Sequence, residues 1–263
     1  MPTWNADQYL RFADERTRAC RDLAATVSIA NARRIIDLGC GPGNSTAVLA
    51  ARWPDAEIVG LDSSPDMIAK ARESEPRRTW IAGDISKWMA SSREQFDLVF
   101  SNAALHWVEN HGEALPKLLS RVAPGGAFAM QIPGNFDAPA HTAMRELAAS
   151  PEWRDKFPPG PVREWHTHEP DFYYDTLSSH AARIDLWETT YVHVMENAEA
   201  IAEWYKGTGL RPFLDALPSP ADRDRFTIGY VEKLRAAYPE SRDGRRLFPF
   251  RRIFLIAYAK KHL

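Results

Sequence analysis

The sequence predicts an α/β protein: a largely parallel sheet with helices on both faces, its later strands interrupted by a mostly helical insertion. Three observations carry that prediction. Between residues 34 and 132, five short apolar runs alternate with stretches of helical periodicity. The first run stops at a glycine-rich turn, as a buried parallel strand does before a helix. After Pro133 the alternation breaks, and helical patterns dominate until one strong apolar strand closes the chain.

Residues 6–30 read as helical, with Leu10, Ala13, Ala19, Leu23 and Val27 near one face. Residues 34–38 form the first strand, and helical periodicity resumes over 44–52 with Asn44 or Ser45 as the expected N-cap. The second strand is 57–61, followed by a helix from about Ser64 with Pro65 in its first turn. The third is 79–82, then a short helix near 86–90. The fourth is 96–101, and a helix over 111–121 ends before Pro124-Gly125-Gly126. The fifth is 127–132.

Residues 134–180 are rich in Pro, Trp and His, include a turn-like Phe-Pro-Pro-Gly-Pro at 157–161, and show no obvious strand before 184–195. Helical patterns follow at 197–206, 210–217 and 219–237, and the final strand is 250–258. The expected organisation is an N-terminal helix and ligand-binding α/β core over 1–133 and a cap insertion over 134–182. A returning strand over 183–196, a helical cap over 197–246 and a final core strand over 247–263 complete it.

Composition narrows the function. With 44% apolar and 26% charged residues the chain is ordinary globular material. A formal net charge of -2 argues against a dedicated nucleic-acid binder, whose phosphate contacts call for a basic surface. Cys20 and Cys40 make neither a disulfide framework nor a zinc spacing, so no metal is expected and reduced thiols in the cytoplasm are the plain reading. Met1–Asn5 lacks the regions of a signal peptide, and no apolar run reaches the roughly 18 residues of a membrane span. No membrane partner is expected, and the oligomeric state stays open.

The chemistry concentrates at Asp37-Leu38-Gly39-Cys40-Gly41-Pro42-Gly43. Glycines between a strand and a helix let backbone approach a ligand where helix N–H groups face outward. A dinucleotide fingerprint would put its third glycine at position 44, where this chain has Asn44. Asp62 ends the second strand about 20 residues on, where a carboxylate can accept both hydroxyls of a ribose. Gly83-Asp84-Ile85 ends the third, setting an acid and an apolar side chain beside an adenine. Competing readings are a helix cap for Asp62, a turn acid for Asp84 and core packing for Met67.

Asp37 to Gly43, Asp62, Asp84-Ile85, Phe96-Asp97-Leu98-Val99 and Pro124-Gly125-Gly126 together resemble the successive motifs of class I S-adenosylmethionine-dependent methyltransferases. The resemblance implies a Rossmann-like sheet, mostly parallel with its last strand antiparallel, and S-adenosyl-L-methionine as cofactor. It implies that Gly39 and Gly41 border the methionine part, with Asp37 and Asn44 in the same loop. Asp62 and Ser63 would hold the ribose, Met67 would lie near the adenine, Asp84 and Ile85 would clasp it, and Asn102 would lie near the amino-acid end.

The segment after the fourth strand, Ser101 to Trp107, lacks the Asn/Asp-Pro-Pro-aromatic pattern of enzymes that methylate base or glutamine amino groups. Segments 4–12, 105–107, 204–212 and 247–252 resemble the bacterial trans-aconitate 2-methyltransferase family, which forms a monomethyl ester of that tricarboxylate. A compact polyanion needs cations, preferably two-pronged arginine. Residues 221–263 hold eleven Lys or Arg against five acids, mostly explained by solvated helix faces. Arg18, Arg211 and Arg251 are the expected substrate contacts, Arg16 a further one, and His106, Trp107, Trp204 and Tyr205 pocket residues.

A carboxylate is already ionised at neutral pH, so its attack on a sulfonium methyl needs alignment rather than a base. His106 is therefore the candidate catalytic group as a positioning residue, with proton abstraction as the alternative. Other acceptors remain open: another small carboxylate, an acyl-carrier-bound acid, or a phenolic or quinone precursor. So do an NAD-dependent oxidoreductase, against which Gly43 argues, and a module that only senses the methyl donor.

Overall fold

Short runs of branched and aromatic residues, each closed by an acid or a polar turn, pair along their lengths, and the central strands Arg34–Leu38, Phe96–Asn102 and Val122–Pro133 are largely buried. A computed structural model describes residues 13–261 apart from 159, 161 and 163. The 4–12 segment, the first part of the 6–30 helix, Pro159 and Pro161 of the 157–161 turn, and the Arg16 side chain lie outside the described residues.

The elements are α1 (Ala13–Thr26), β1 (Arg34–Leu38), α2 (Asn44–Arg52), β2 (Glu57–Asp62), α3 (Pro65–Ser74), β3 (Thr79–Ala82), α4 (Ile85–Ser91) and β4 (Phe96–Asn102). A 3₁₀ turn (Leu105–Trp107), α5 (His111–Leu119), β5 (Val122–Pro133), α6 (Pro139–Ala148), α7 (Pro170–Ser178) and β6 (Ala181–Met195) follow. Then come α8 (Ala198–Lys206), α9 (Arg211–Ala216), α10 (Pro220–Ala237) and β7 (Arg246–Ala259). The seven strands lie in the order β3-β2-β1-β4-β5-β7-β6. The first five pair in parallel, and β7 runs antiparallel to β5 with Leu255 opposite Met130. The expected α/β class is the observed one. The strand order reverses between β1 and β4, so a crevice opens outside their carboxyl ends, where such sheets bind ligands.

The described chain forms two compact units, one of residues 13–134, 166–189 and 252–261, the other of 135–165 and 190–251. In the sheet unit Ile36, Leu38, Val99, Phe128 and Met130 pack with Leu115 and Leu118 of α5 and Tyr173 and Leu177 of α7. Each such side chain contributes roughly 1.5–3 kcal/mol by leaving water. Asp97 Oδ2 accepts the N–H groups of Arg33 and Arg34 at 2.7 and 3.0 Å, fixing the start of β1 beside β4. Cys20 and Cys40 are buried and free, and burial pushes both thiols up. Among the described residues no helix is long and apolar enough to cross a membrane.

Several boundaries differ from expectation for identifiable reasons. Neither Asn44 nor Ser45 caps α2: the cap position is Gly43 in the left-handed region, and the Ser45 hydroxyl is spent on Asp37. β5 starts at Val122 and carries Pro124-Gly125-Gly126 within it; β6 starts at Ala181 and β7 at Arg246. The 134–180 stretch, to which the sequence assigned no particular helix, contains α6 and α7. Each has proline in its first turn, where the missing N–H costs nothing, so prolines that suggest loops mark helix starts here.

In the helical unit Trp153, Tyr205, Phe213, Phe226, Tyr230 and Phe248 form the core. Tyr230 donates to the Ala140 carbonyl and Tyr238 accepts from the Ala140 N–H, both at 3.1 Å, tying α10 and the segment after it to α6. His141 is buried among Phe136, Tyr205 and Trp165, with ring centroids at 4.9, 4.9 and 5.2 Å. Burial first, and Arg145 second, push its pKa down from 6.5 to about 3. The folded pKa lies below the unfolded one, so this group's contribution is present above about pH 6.5 and is lost as pH falls. At pH 5 the loss is about 2 kcal/mol. Denaturant titrations at pH 7 and pH 5 are expected to show His141→Leu losing about that much less stability on acidification than the parent.

Candidate active site

The loop leaving β1 is stitched to β2 by backbone alone: the N–H groups of Gly39 and Cys40 both reach the Leu61 carbonyl, at 2.7 and 3.1 Å. Gly39 has φ 75°, and a Cβ there would stand 2.1 Å from the Cβ of Ala104, so no side chain fits. Gly41 (φ 55°) has open space where its Cβ would be, leaving backbone exposed toward the crevice.

Asp62, at the end of β2, accepts the Gly41 N–H on Oδ2 at 2.9 Å and the Ser64 N–H on Oδ1 at 2.8 Å. One carboxylate thus orients both loops, and each oxygen keeps a lone pair for a hydroxyl donor. Burial pushes its pKa up, opposed by those two amides. Asp62 does not cap α3; Ser64 does, through a 3.4 Å contact from the Met67 N–H.

Asp37 is wholly buried. Its Oδ2 accepts the hydroxyls of Ser45 and Thr46, each at 2.6 Å, while Oδ1 has no partner. Burial raises its pKa from 3.8 to about 6, the two hydroxyls oppose the rise, and Asp62 adds to it. Asn102 ends β4, two residues beyond the Phe100 that lies opposite Asp37, and its Oδ1 is likewise buried without a partner. A buried acceptor left unmade costs about 1–3 kcal/mol, so both atoms suit a ligand carrying donors.

The remaining expected residues fall as follows. Asp84 caps α4 by accepting the Lys87 N–H at 3.0 Å, so it has a structural duty beside any ligand role. Half-buried Ile85 points its Cδ1 toward Gly39, 4.0 Å from where a Cβ would be. Met67 is buried, Asn44 is half-buried in the first turn of α2, and Ser63 is exposed. His106 is buried and Trp107 half-buried in the 3₁₀ turn, their rings 4.6 Å apart. Arg18 is exposed on α1. Among the described residues no group of three or more His, Cys, Asp or Glu could hold a metal ion.

The other expected contacts belong to the helical unit. Trp204 and Tyr205 are core residues of α8, and Tyr205 Oη accepts the Asn135 Nδ2–H at 3.2 Å. Arg211 Nε meets both carboxylate oxygens of Asp215 at 3.1 and 3.2 Å, one turn along α9. Arg251 is half-buried on β7. Sequence reasoning missed Ser45, Thr46 and Ala104. The two hydroxyls had a visible signal, since they sit in the first turn of the helix after the acid; Ala104 had none.

Comparison with known proteins extends this geometry. Residues 35–126 match a methyltransferase domain family. The trans-aconitate 2-methyltransferase of Azoarcus sp. strain BH72 is 46% identical over 98% of this chain and 99% of its own length. That of Rhodopseudomonas palustris strain BisA53 is 43% identical over 98% and 99%. A solved coclaurine N-methyltransferase shares the fold with a TM-score of 0.55 at 14% identity, covering 93% of this chain and 71% of that one.

The folded-state pKa of Asp37 lies above its unfolded value, so its contribution is fullest at acid pH. It declines as pH rises from about 4 to about 6, by about 3 kcal/mol in total. In ligand-free protein, Asp37→Asn is expected to remove that decline from a stability-versus-pH curve.

Proposed function

The chain belongs to the trans-aconitate 2-methyltransferase family, and we propose on that premise that it moves a methyl group from S-adenosylmethionine to one carboxylate of trans-aconitate, giving a monomethyl ester. The observation that carries the donor half is the carboxylate of Asp62, held by Gly41 and Ser64 beside a loop whose backbone is open at Gly41. Its remaining lone pairs suit the two ribose hydroxyls. Asp84 and Ile85, with Met67, would hold the adenine; Gly39, Gly41 and Asn44 would line the methionine part, and Ser63 the ribose edge. The unpartnered oxygens of Asp37 and Asn102 suit a ligand bearing an ammonium group and other donors. These residues fit the donor.

When bound, S-adenosylmethionine supplies a methyl group on a positive sulfonium. The acceptor carboxylate is ionised at neutral pH, so no residue need remove a proton. The chain's work is to align the acceptor and exclude water, because both opposite charges diminish as the methyl moves. His106 would position the acceptor, with Trp107 beside it and Arg18 as a two-pronged donor to its carboxylates; the roles expected of Tyr205, Arg211 and Arg251 rest on the family likeness alone.

Labelled S-adenosylmethionine, incubated with trans-aconitate, cis-aconitate, citrate, a phenol or no acceptor, is expected to yield a base-labile ester with trans-aconitate foremost. Label on the phenol alone would overturn the acceptor. Asp62→Ala is expected to weaken donor binding about 30–100-fold by calorimetry; unchanged binding would remove Asp62 from the donor site.

A further inference from the structure

Outside the donor loop, a connected polar cluster of the sheet unit lies behind the turn that carries His106 and Trp107. The turn leaves β4 through Ala103, whose φ of 53° is a left-handed conformation that a non-glycine residue holds only when its surroundings enforce it. The Ala103 N–H is fixed on the Gln131 carbonyl at 2.8 Å.

His111, the first residue of α5, is 1% exposed. Its Nε2 stands 3.0 Å from the Leu105 carbonyl. A carbonyl only accepts, so Nε2 carries the proton and Nδ1 is an acceptor. Tyr173 Oη lies 3.4 Å from Nδ1, and so donates to it. The same oxygen accepts the His168 N–H at 2.9 Å, and two residues earlier the His166 N–H reaches the His106 carbonyl at 3.0 Å. Consecutive carbonyls of the turn are therefore held by α5 and by the 166–168 segment, and Tyr173 of α7 joins the two holders. The Leu105 carbonyl also accepts the Val108 N–H at 2.8 Å, which fills both its lone pairs.

Aromatic packing fixes the rings: His111 lies 5.5 Å from His168 and 5.9 Å from Tyr173, and His168 stacks on Phe172 at 3.9 Å. Burial holds the His111 pKa down, opposed by backbone contacts with Leu105 and, more weakly, Val108, and aided by His168 and His166, which keeps the single-proton form the geometry requires. The donor-site residues bond elsewhere: Gly41, Asp62 and Ser64 to one another, Asp37 to Ser45 and Thr46. The clamp holds the Leu105 and His106 carbonyls, one and two residues beyond the Ala104 that meets the donor loop, and so bears first on His106 and Trp107.

We propose that His111 is a positioning residue for the methyl acceptor, its Nε2–H holding the Leu105 carbonyl so that His106 and Trp107 present a fixed surface. The assignment of His106 and Trp107 to the acceptor rests on the function proposed above; the clamp itself does not.

Two variants separate its parts. Phe at 111 keeps the ring and loses both polar contacts, whereas Gln retains an Nε2–H able to reach the carbonyl. His111→Phe is expected to raise amide hydrogen exchange at Trp107 and Val108, whose N–H groups close the turn, by about tenfold or more, with His111→Gln near the parent. The kinetic expectation is a rise of about tenfold in the trans-aconitate KM for His111→Phe, with donor Kd within about twofold and recovery in His111→Gln. Unchanged exchange at 107–108 in His111→Phe would overturn the clamp. Equal losses of donor affinity and acceptor KM, tracking a fall in Tm, would reduce His111 to a stabilising residue. If the parent methylates no trans-aconitate, the proposed function fails, and the exchange measurement still decides whether His111 holds the turn.

Discussion

Gly39 packs so tightly on Ala104 that position 39 admits no side chain, and the site depends on that contact. The Cβ of Ala104 occupies the volume a side chain at position 39 would need. This brings together the loops after β1 and β4, the two strands at which the sheet order reverses. One contact thus fixes both the backbone cradle proposed for the methyl donor and the start of the turn that carries His106. A methyl transfer between two bound molecules needs little acid-base chemistry but strict alignment, and a shared contact between the two loops supplies it.

Around that contact the polar groups are deployed by geometry more than by charge. Asp62 turns two loops toward one another through two amide hydrogen bonds. Asp37 keeps one oxygen occupied by the hydroxyls of α2 and leaves the other bare, in surroundings that make its charge costly. Such an arrangement stores destabilisation that a ligand with donors would relieve, in keeping with functional sites being drawn from unfavourable local solutions.

Much of the sheet was legible because buried parallel strands read as short apolar runs, and all five early strands were placed by such runs, although β3 is largely exposed. Asp62 and the glycine loop were legible for a related reason: a strand end, a turn and a carboxylate twenty residues on are local features at characteristic spacing. The helices α6 and α7 were not, because proline serves equally at a helix's first turn and in a loop, and only packing decides which. Nor was the fate of the α2 hydroxyls, since Ser45 chooses between its own helix end and Asp37 by which acceptor is buried nearby.

The sequence by itself determined the α/β class, the order of its early elements, the position of the glycine loop and the acids that follow it, because each is written in local periodicity and turn chemistry. Only the tertiary structure decided that Gly39 must be bare to admit Ala104, that Asp84 caps a helix, that Arg211 engages Asp215, and that His111 holds the Leu105 carbonyl. Those outcomes depend on which residues distant in the chain arrive at the same point, and on the low tolerance of a packed interior for an unfilled volume or an unpaired polar atom.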